Sequence, residues 1–200
     1  MATSSAAVRR FRIILWSLVV VAAVGATTLF VLRPPAQPVG VTGTPFAMQT
    51  IAGGTFTRDD LKGTPSLVFF GYTFCPDVCP TTLAELVAYE KQLGLTPDKL
   101  RTIFVTVDPH RDTSKALTDY LGSFDPHIIG LYGDDAATDA AKASFGVFSE
   151  NGTPDASGNY VVNHTADVFL IGRNGEYEGT IGFGEDKDAA MAKIKRLVQG

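Results

Sequence analysis

The stretch Ser66-Leu67-Val68-Phe69-Phe70-Gly71-Tyr72-Thr73-Phe74-Cys75-Pro76-Asp77-Val78-Cys79-Pro80 joins a short apolar run to a turn that holds both cysteines of the 200-residue chain. The β-favouring run 66–70 reads as a buried strand, so the cysteines leave a strand end. Their spacing is C-x-x-x-C, and a chain this poor in sulfur that places both thiols in one turn is using them as a pair. Two prolines constrain the turn. A helix begun at Pro76 would drive the Pro80 ring against the carbonyl of residue 76, and Pro80 also biases Cys79 away from the α region. The helix is therefore predicted to start at Pro80, with Cys79 as its N-cap. There the positive end of the helix dipole would lower the thiol pKa and favour thiolate, the form that binds metal or attacks. Two residues four apart on one continuous helix stand about 5–6 Å apart at Cβ, wider than the roughly 3.5–4.5 Å of a disulfide. A loop placement of Cys75 lets the pair close when oxidised and open around an ion. The bland alternative, two buried small hydrophobes, fits the paired spacing poorly.

Outward from this stretch the pattern alternates strand and helix. Residues 46–57, with Gly53-Gly54 at their middle, read as a β-hairpin. Residues 82–93 read as a helix stopped by Gly94. Residues 101–107 form a second buried strand, 114–121 a helix opened by Asp112-Thr113, 128–132 a strand, and 134–145 an alanine-rich helix. Residues 161–171 and 177–181 flank Asn174-Gly175, the strongest short hairpin signal in the chain, and 186–198 close it as an amphipathic helix. A β-α-β run followed by a β-hairpin and a terminal helix is the thioredoxin arrangement. The fold class is thus α/β, thioredoxin-like, with an N-terminal β-hairpin extension and an inserted strand and helix. The polar, turn-rich segment 149–159 reads as an exposed insertion loop.

That topology ranks the three histidines. In right-handed parallel crossovers the carboxyl ends of the strands share one sheet edge, the edge of Cys75 and Cys79. His127 precedes a parallel strand and falls at the opposite edge. His110 is on the correct side, but lies amid the charges of Asp108-Pro109-His110-Arg111-Asp112. His164 precedes the antiparallel strand of the final hairpin, which starts at the cysteine edge, and is the best third ligand. Taken alone it would read as a partly buried, hydrogen-bonded loop histidine; a facing dithiol favours ligation, since imidazole joins thiolates in soft-metal sites. Two thiolates and one imidazole suit copper, as Cu(I) or Cu(II), better than structural zinc, which normally takes four protein ligands.

The first thirty-odd residues indicate where this chemistry occurs. Residues 13–32 are an uncharged run long enough to cross a bilayer as one helix. Arg9, Arg10 and Arg12 precede it, only Arg33 follows, and no acidic residue occurs before residue 34. The positive-inside rule places residues 1–12 in the cytoplasm and exports the chain beyond Arg33. A cleaved signal peptide is the competing reading, against which stand the length of the apolar core and the lack of a clear A-x-A exit. Residues 33–42 are a proline-rich spacer, and 43–200 are sized for one domain. Beyond Arg33 the chain has 13 basic and 21 acidic side chains, a formal charge of −8. That excludes nucleic acid and anionic lipid as favoured partners and suits a basic protein.

The motifs Gly71-Tyr72-Thr73-x-Cys75-Pro76-x-x-Cys79-Pro80, Val107-Asp108-Pro109-x-Arg111-Asp112-Thr113 and His164-Thr165 before Val168-Phe169-Leu170-Ile171 resemble the Sco/SenC family of membrane-anchored copper chaperones. The resemblance implies one copper ion held by Cys75, Cys79 and His164. It implies assembly of the dinuclear copper centre of cytochrome c oxidase subunit II, with another periplasmic copper chaperone or a thioredoxin-like reductase as further partners. It also implies a bacterial inner-membrane protein with its C-terminal domain in the periplasm. Asp108 falls on the family's acidic loop position, near the site without being a ligand, or else merely stabilises a turn. Members commonly carry an aspartate before the histidine, where this chain has Asn163. The reading is a metallochaperone rather than an enzyme, with thiol-disulfide reduction by the same pair open as an accessory activity. A rival peroxidase reading rests on Cys79-Pro80-Thr81, but Pro76 stands where that chemistry expects threonine. A rival disulfide oxidoreductase would normally use C-x-x-C and has no need of His164.

Overall fold

The computed structural model describes residues 5–31 and 43–200. The chain divides into two compact units, Met1–Gln37 and Pro38–Gly200. In the first, α1 (Ser5–Val31) is a continuous helix. The predicted span 13–32 runs into residues that lie outside the described set. Among the described residues no helix is long and apolar enough to cross a membrane. The expected spacer 33–42 also lies outside the described residues.

The second unit is built on a seven-stranded sheet. In chain order its strands are β1 (Ala47–Thr50), β2 (Thr55–Thr57), β3 (Ser66–Gly71), β4 (Arg101–Thr106), β5 (Ile129–Tyr132), β8 (Val168–Ile171) and β9 (Tyr177–Ile181). Across the sheet they run β2-β1-β5-β4-β3-β8-β9. β3, β4 and β5 are parallel, and β8 returns antiparallel to β3 with Phe69 opposite Val168. β3 is buried at every position, as its unbroken apolar run requires of a strand covered on both faces. Side chains alternate between the faces. Phe69 and Phe104 meet edge to face on one side, where Phe104 also contacts Tyr120 of α3 (Ser114–Gly122). On the other side Phe70 and Phe169 pack against Phe145 of α4 (Asp135–Phe145). α5 (Lys187–Gln199) packs beside α2 (Val78–Leu93) and closes the chain.

Three expectations are corrected. The helix after the cysteines starts at Val78, not Pro80: Asp77 is the N-cap, and the Thr81 N–H already bonds the Asp77 carbonyl at 3.2 Å. Pro80 sits in the first turn, where its missing N–H leaves no helical bond unmade, and the carbonyl of residue 76 faced by its ring lies before the helix. Cys79 is therefore inside the first turn rather than capping it. The segment 161–171 is not one strand but two in different sheets. β7 (Val162–His164) pairs antiparallel with β6 (Ser149–Asn151), and the chain bends through Thr165-Ala166-Asp167 before β8. The segment 149–159 is thus only partly loop, since its first three residues are β6.

Candidate metal centre

The carboxyl ends of β3 and β4, the start of α2 and the β6–β7 hairpin meet at one sheet edge. Gly71 ends β3 where a side chain would not fit. A Cβ there would lie 2.9 Å from the Phe104 ring and 3.0 Å from the Cys79 sulfur. Cys79 packs into that gap, fully buried, on the first turn of α2. Cys75, half-buried in the preceding turn, accepts the Cys79 N–H on its sulfur at 3.4 Å, and both thiols are free. His164, at the end of β7, brings Nε2 to 3.5 Å from the Cys79 Sγ. One ligand atom from each of Cys75, Cys79 and His164 lies within 4.8 Å of the others. Cys75 and His164 line a cleft of about 240 Å³ walled in part by Tyr72, Pro76 and Val161, with the buried Cys79 sulfur behind them.

The histidine tautomer follows from its surroundings. Nδ1 is 2.9 Å from the Thr165 carbonyl, which can only accept, so Nδ1 carries the proton and Nε2 turns its lone pair to the sulfurs. Burial holds the imidazole below its ordinary pKa, so the ring is neutral. The rings of Tyr72 and Phe69 meet it edge-on at 5.8 and 6.3 Å and fix its plane. The dipole effect expected at Cys79 is overridden. Burial, and then the neighbouring Cys75, push its thiol well above the ordinary range, so in the metal-free protein it is a thiol and not a thiolate. A soft cation entering between the sulfurs would supply the missing positive charge and displace the proton.

The remaining histidines stand apart. His110 is exposed and lies 3.3 Å from Asp135 on α4, and His127 is exposed beside Asp125 before β5. Asp108 is buried but does not join the three ligand atoms: it accepts hydrogen bonds from Arg111 and from the Tyr160 hydroxyl. Asn163 is exposed and stands at the lining of the cleft beside His164.

Sequence reasoning missed the supporting residues. The Asp112 carboxylate, also buried, accepts from the Thr73 N–H at 3.2 Å and from the Thr73 and Thr106 hydroxyls at 2.6 Å each. It ties the turn before Cys75 to the end of β4. Burial raises its pKa against the pull of those bonds. The signal that could have found it is a dense polar cluster, Asp108 to Asp112, directly after a buried strand on the cysteine edge.

The sequence profile of the family described as SCO1/SenC matches residues 35–199 of the chain. The human mitochondrial SCO1 homolog is 33% identical over 154 residues, covering 76% of this chain and 51% of that protein. The chain spans about half the length of such curated relatives. The structure of Bradyrhizobium japonicum ScoI with copper bound aligns with a TM-score of 0.70 at 40% identity, over 76% of this chain and 97% of that one. Yeast Sco1 with copper bound aligns with a TM-score of 0.70 at 30% identity, over 78% and 87%.

Proposed function

The chain belongs to the SCO1/SenC family, and from that membership we propose that it carries one copper ion between Cys75, Cys79 and His164 and delivers it during cytochrome c oxidase assembly. The recipient on this reading is the dinuclear copper site of subunit II. Residues 13–32 tether the carrier to a bacterial inner membrane, the N-terminus stays in the cytoplasm, and the domain from residue 43 works in the periplasm. The observation that carries the proposal is the donor set: two sulfurs and a neutral imidazole nitrogen within 4.8 Å of one another, with no carboxylate among them. Soft thiolates select Cu(I), and imidazole accommodates either oxidation state. The Nδ1–H bond to the Thr165 carbonyl orients the ring and raises its basicity as a ligand.

A second reading shares the pair. Both thiols are free and adjacent, so they can reduce a disulfide in a recipient site, passing two electrons and closing their own disulfide. Peroxidase chemistry is disfavoured, because it needs a stabilised thiolate and burial acts on Cys79 in the opposite sense.

The test is an anaerobic Cu(I) titration of the full chain in detergent, competed against a chelator and repeated with His164→Ala. One copper per chain is expected. The mutant should lose more than the roughly 10- to 100-fold that accompanies loss of an outer-shell partner. Binding indifferent to His164 would leave a tethered thiol reductase.

A further inference from the structure

We propose that Arg111 is a positioning residue for the metal centre: braced on the buried Asp108 carboxylate after β4, it holds the hairpin that carries His164 against the turn that carries the cysteines. The Asp108 side chain is fully buried and both its oxygens are engaged, one by the Arg111 Nε and the other by the Tyr160 hydroxyl at 2.8 Å. The Arg111 Nη1 donates to the Tyr160 carbonyl at 2.9 Å, and the guanidinium lies 3.6 Å from the Tyr160 ring centroid. Tyr160, four residues before His164, is thereby gripped at its hydroxyl, its ring and its carbonyl.

The same guanidinium reaches the other ligand carrier. Its carbon is 4.8 Å from the ring centroid of Phe74, the neighbour of Cys75, and 5.6 Å from that of Tyr72. Tyr72 is itself joined to the hairpin, since its hydroxyl accepts the Val162 N–H at 3.1 Å and its ring meets His164 edge-on at 5.8 Å. Arg111 Nη2 is buried and finds no hydrogen-bond partner among the described residues, so ring faces are what it has in place of one. A planar fork that bonds a carboxylate and a carbonyl while stacking on aromatic rings is within reach of arginine and not of lysine. β6 and β7 form a sheet of their own, outside the seven-stranded sheet. The hairpin therefore takes its place beside the cysteines from side-chain contacts, and Arg111 makes several of them.

The test compares the 200-residue chain with its Arg111→Met variant, each also in the His164→Ala background. The metal-dependent arm rests on the copper reading above; the metal-free arm does not. In the reduced, metal-free protein the His164 and Tyr72 rings should give an NMR cross-peak that Arg111→Met abolishes. Under anaerobic competition Cu(I) affinity should fall roughly 10- to 100-fold in Arg111→Met, with no further fall when His164 is already alanine, because the two changes remove the same ligand. A retained cross-peak, or an equal fall in both backgrounds, overturns the proposal. Arg111→Met leaves the Asp108 charge buried alone, so if that variant lacks a cooperative unfolding transition the charge-neutral pair Arg111→Met/Asp108→Asn takes its place in both arms. If the unmodified protein holds no copper, the carrier function fails and the cross-peak alone decides the role of Arg111.

Discussion

A thiol in the first turn of a helix ordinarily becomes more acidic, yet Cys79 moves the other way because it is fully buried against Phe104 and Gly71. Reduced, metal-free protein treated with iodoacetamide near neutral pH should accordingly be alkylated at the half-exposed Cys75 well before Cys79, as peptide mapping would show. The same shift sets a pH dependence. If copper binds as proposed it must displace the Cys79 proton, held above its ordinary value of 9.0, so apparent Cu(I) affinity should climb with pH through the neutral range. His164 is held below its ordinary 6.5, so protons compete for it only on the acid side of that value. For the stability of the metal-free fold the two groups act in opposite senses to each other. The raised Cys79 contributes stability present below 9.0 and lost as pH rises past it, whereas the lowered His164 contributes stability present above 6.5 and lost as pH falls. Thermal unfolding across the two ranges checks both. Gly71→Ala would put its Cβ 2.9 Å from Phe104 and 3.0 Å from the Cys79 sulfur. Overpacking of that kind costs about 1–3 kcal/mol, measurable by denaturant unfolding, and should weaken metal binding by displacing the sulfur.

The elements that frame the site were legible wherever local chemistry agreed with the fold. Thr113 and Asp134 cap α3 and α4 with side-chain bonds to the N–H groups of Ala116 and Ala137, and Gly94 and Gly146 end α2 and α4 in the left-handed conformation. The alternation of strand and helix was therefore enough to put Cys75, Cys79 and His164 at one edge. What stayed hidden had no periodic signal. β6 is Ser149-Glu150-Asn151, polar at every position, and becomes a strand because β7 offers it a ladder. The bend at Thr165-Ala166-Asp167 carries neither glycine nor proline. The Arg111 cage draws on residues 72, 74 and 160, which no local pattern links. The start of α2 was misplaced because the bias of a residue before proline yielded to its setting. At this scale Asp112 joins β4 to the cysteine turn. Asp112→Ala would strand the Thr73 N–H and the Thr73 and Thr106 hydroxyls, and each buried unsatisfied group costs about 1–3 kcal/mol. Water entering the gap satisfies part of the set, so a loss of about 2–3 kcal/mol in equilibrium unfolding is the expected result.

At the scale of the whole molecule, the residues beyond Arg33 carry a formal charge of −8. A protein recipient that docks through basic groups should bind at a rate that drops steeply as ionic strength rises, because added salt screens steering more than it weakens short-range contacts. Stopped-flow association at low and high salt checks this, and an indifferent rate would point to an apolar docking surface. The proposed tether has its own test: if residues 13–32 anchor the protein, the full chain should stay with membranes through alkaline carbonate extraction, whereas a chain starting at residue 43 should not. One arrangement within the domain bears on timing. His164 belongs to a two-stranded sheet, whereas Cys75 lies in the turn after β3 and Cys79 on α2, beside the seven-stranded one, so an ion held by all three would rivet together two parts that share no strand ladder. Loading should slow amide exchange along β6 and β7 far more than in β3 and β4. On the proposed ligation, unloading would not wait for the core to loosen, and the dwell time of the cargo would be set by how often the two-stranded sheet parts from the cysteines.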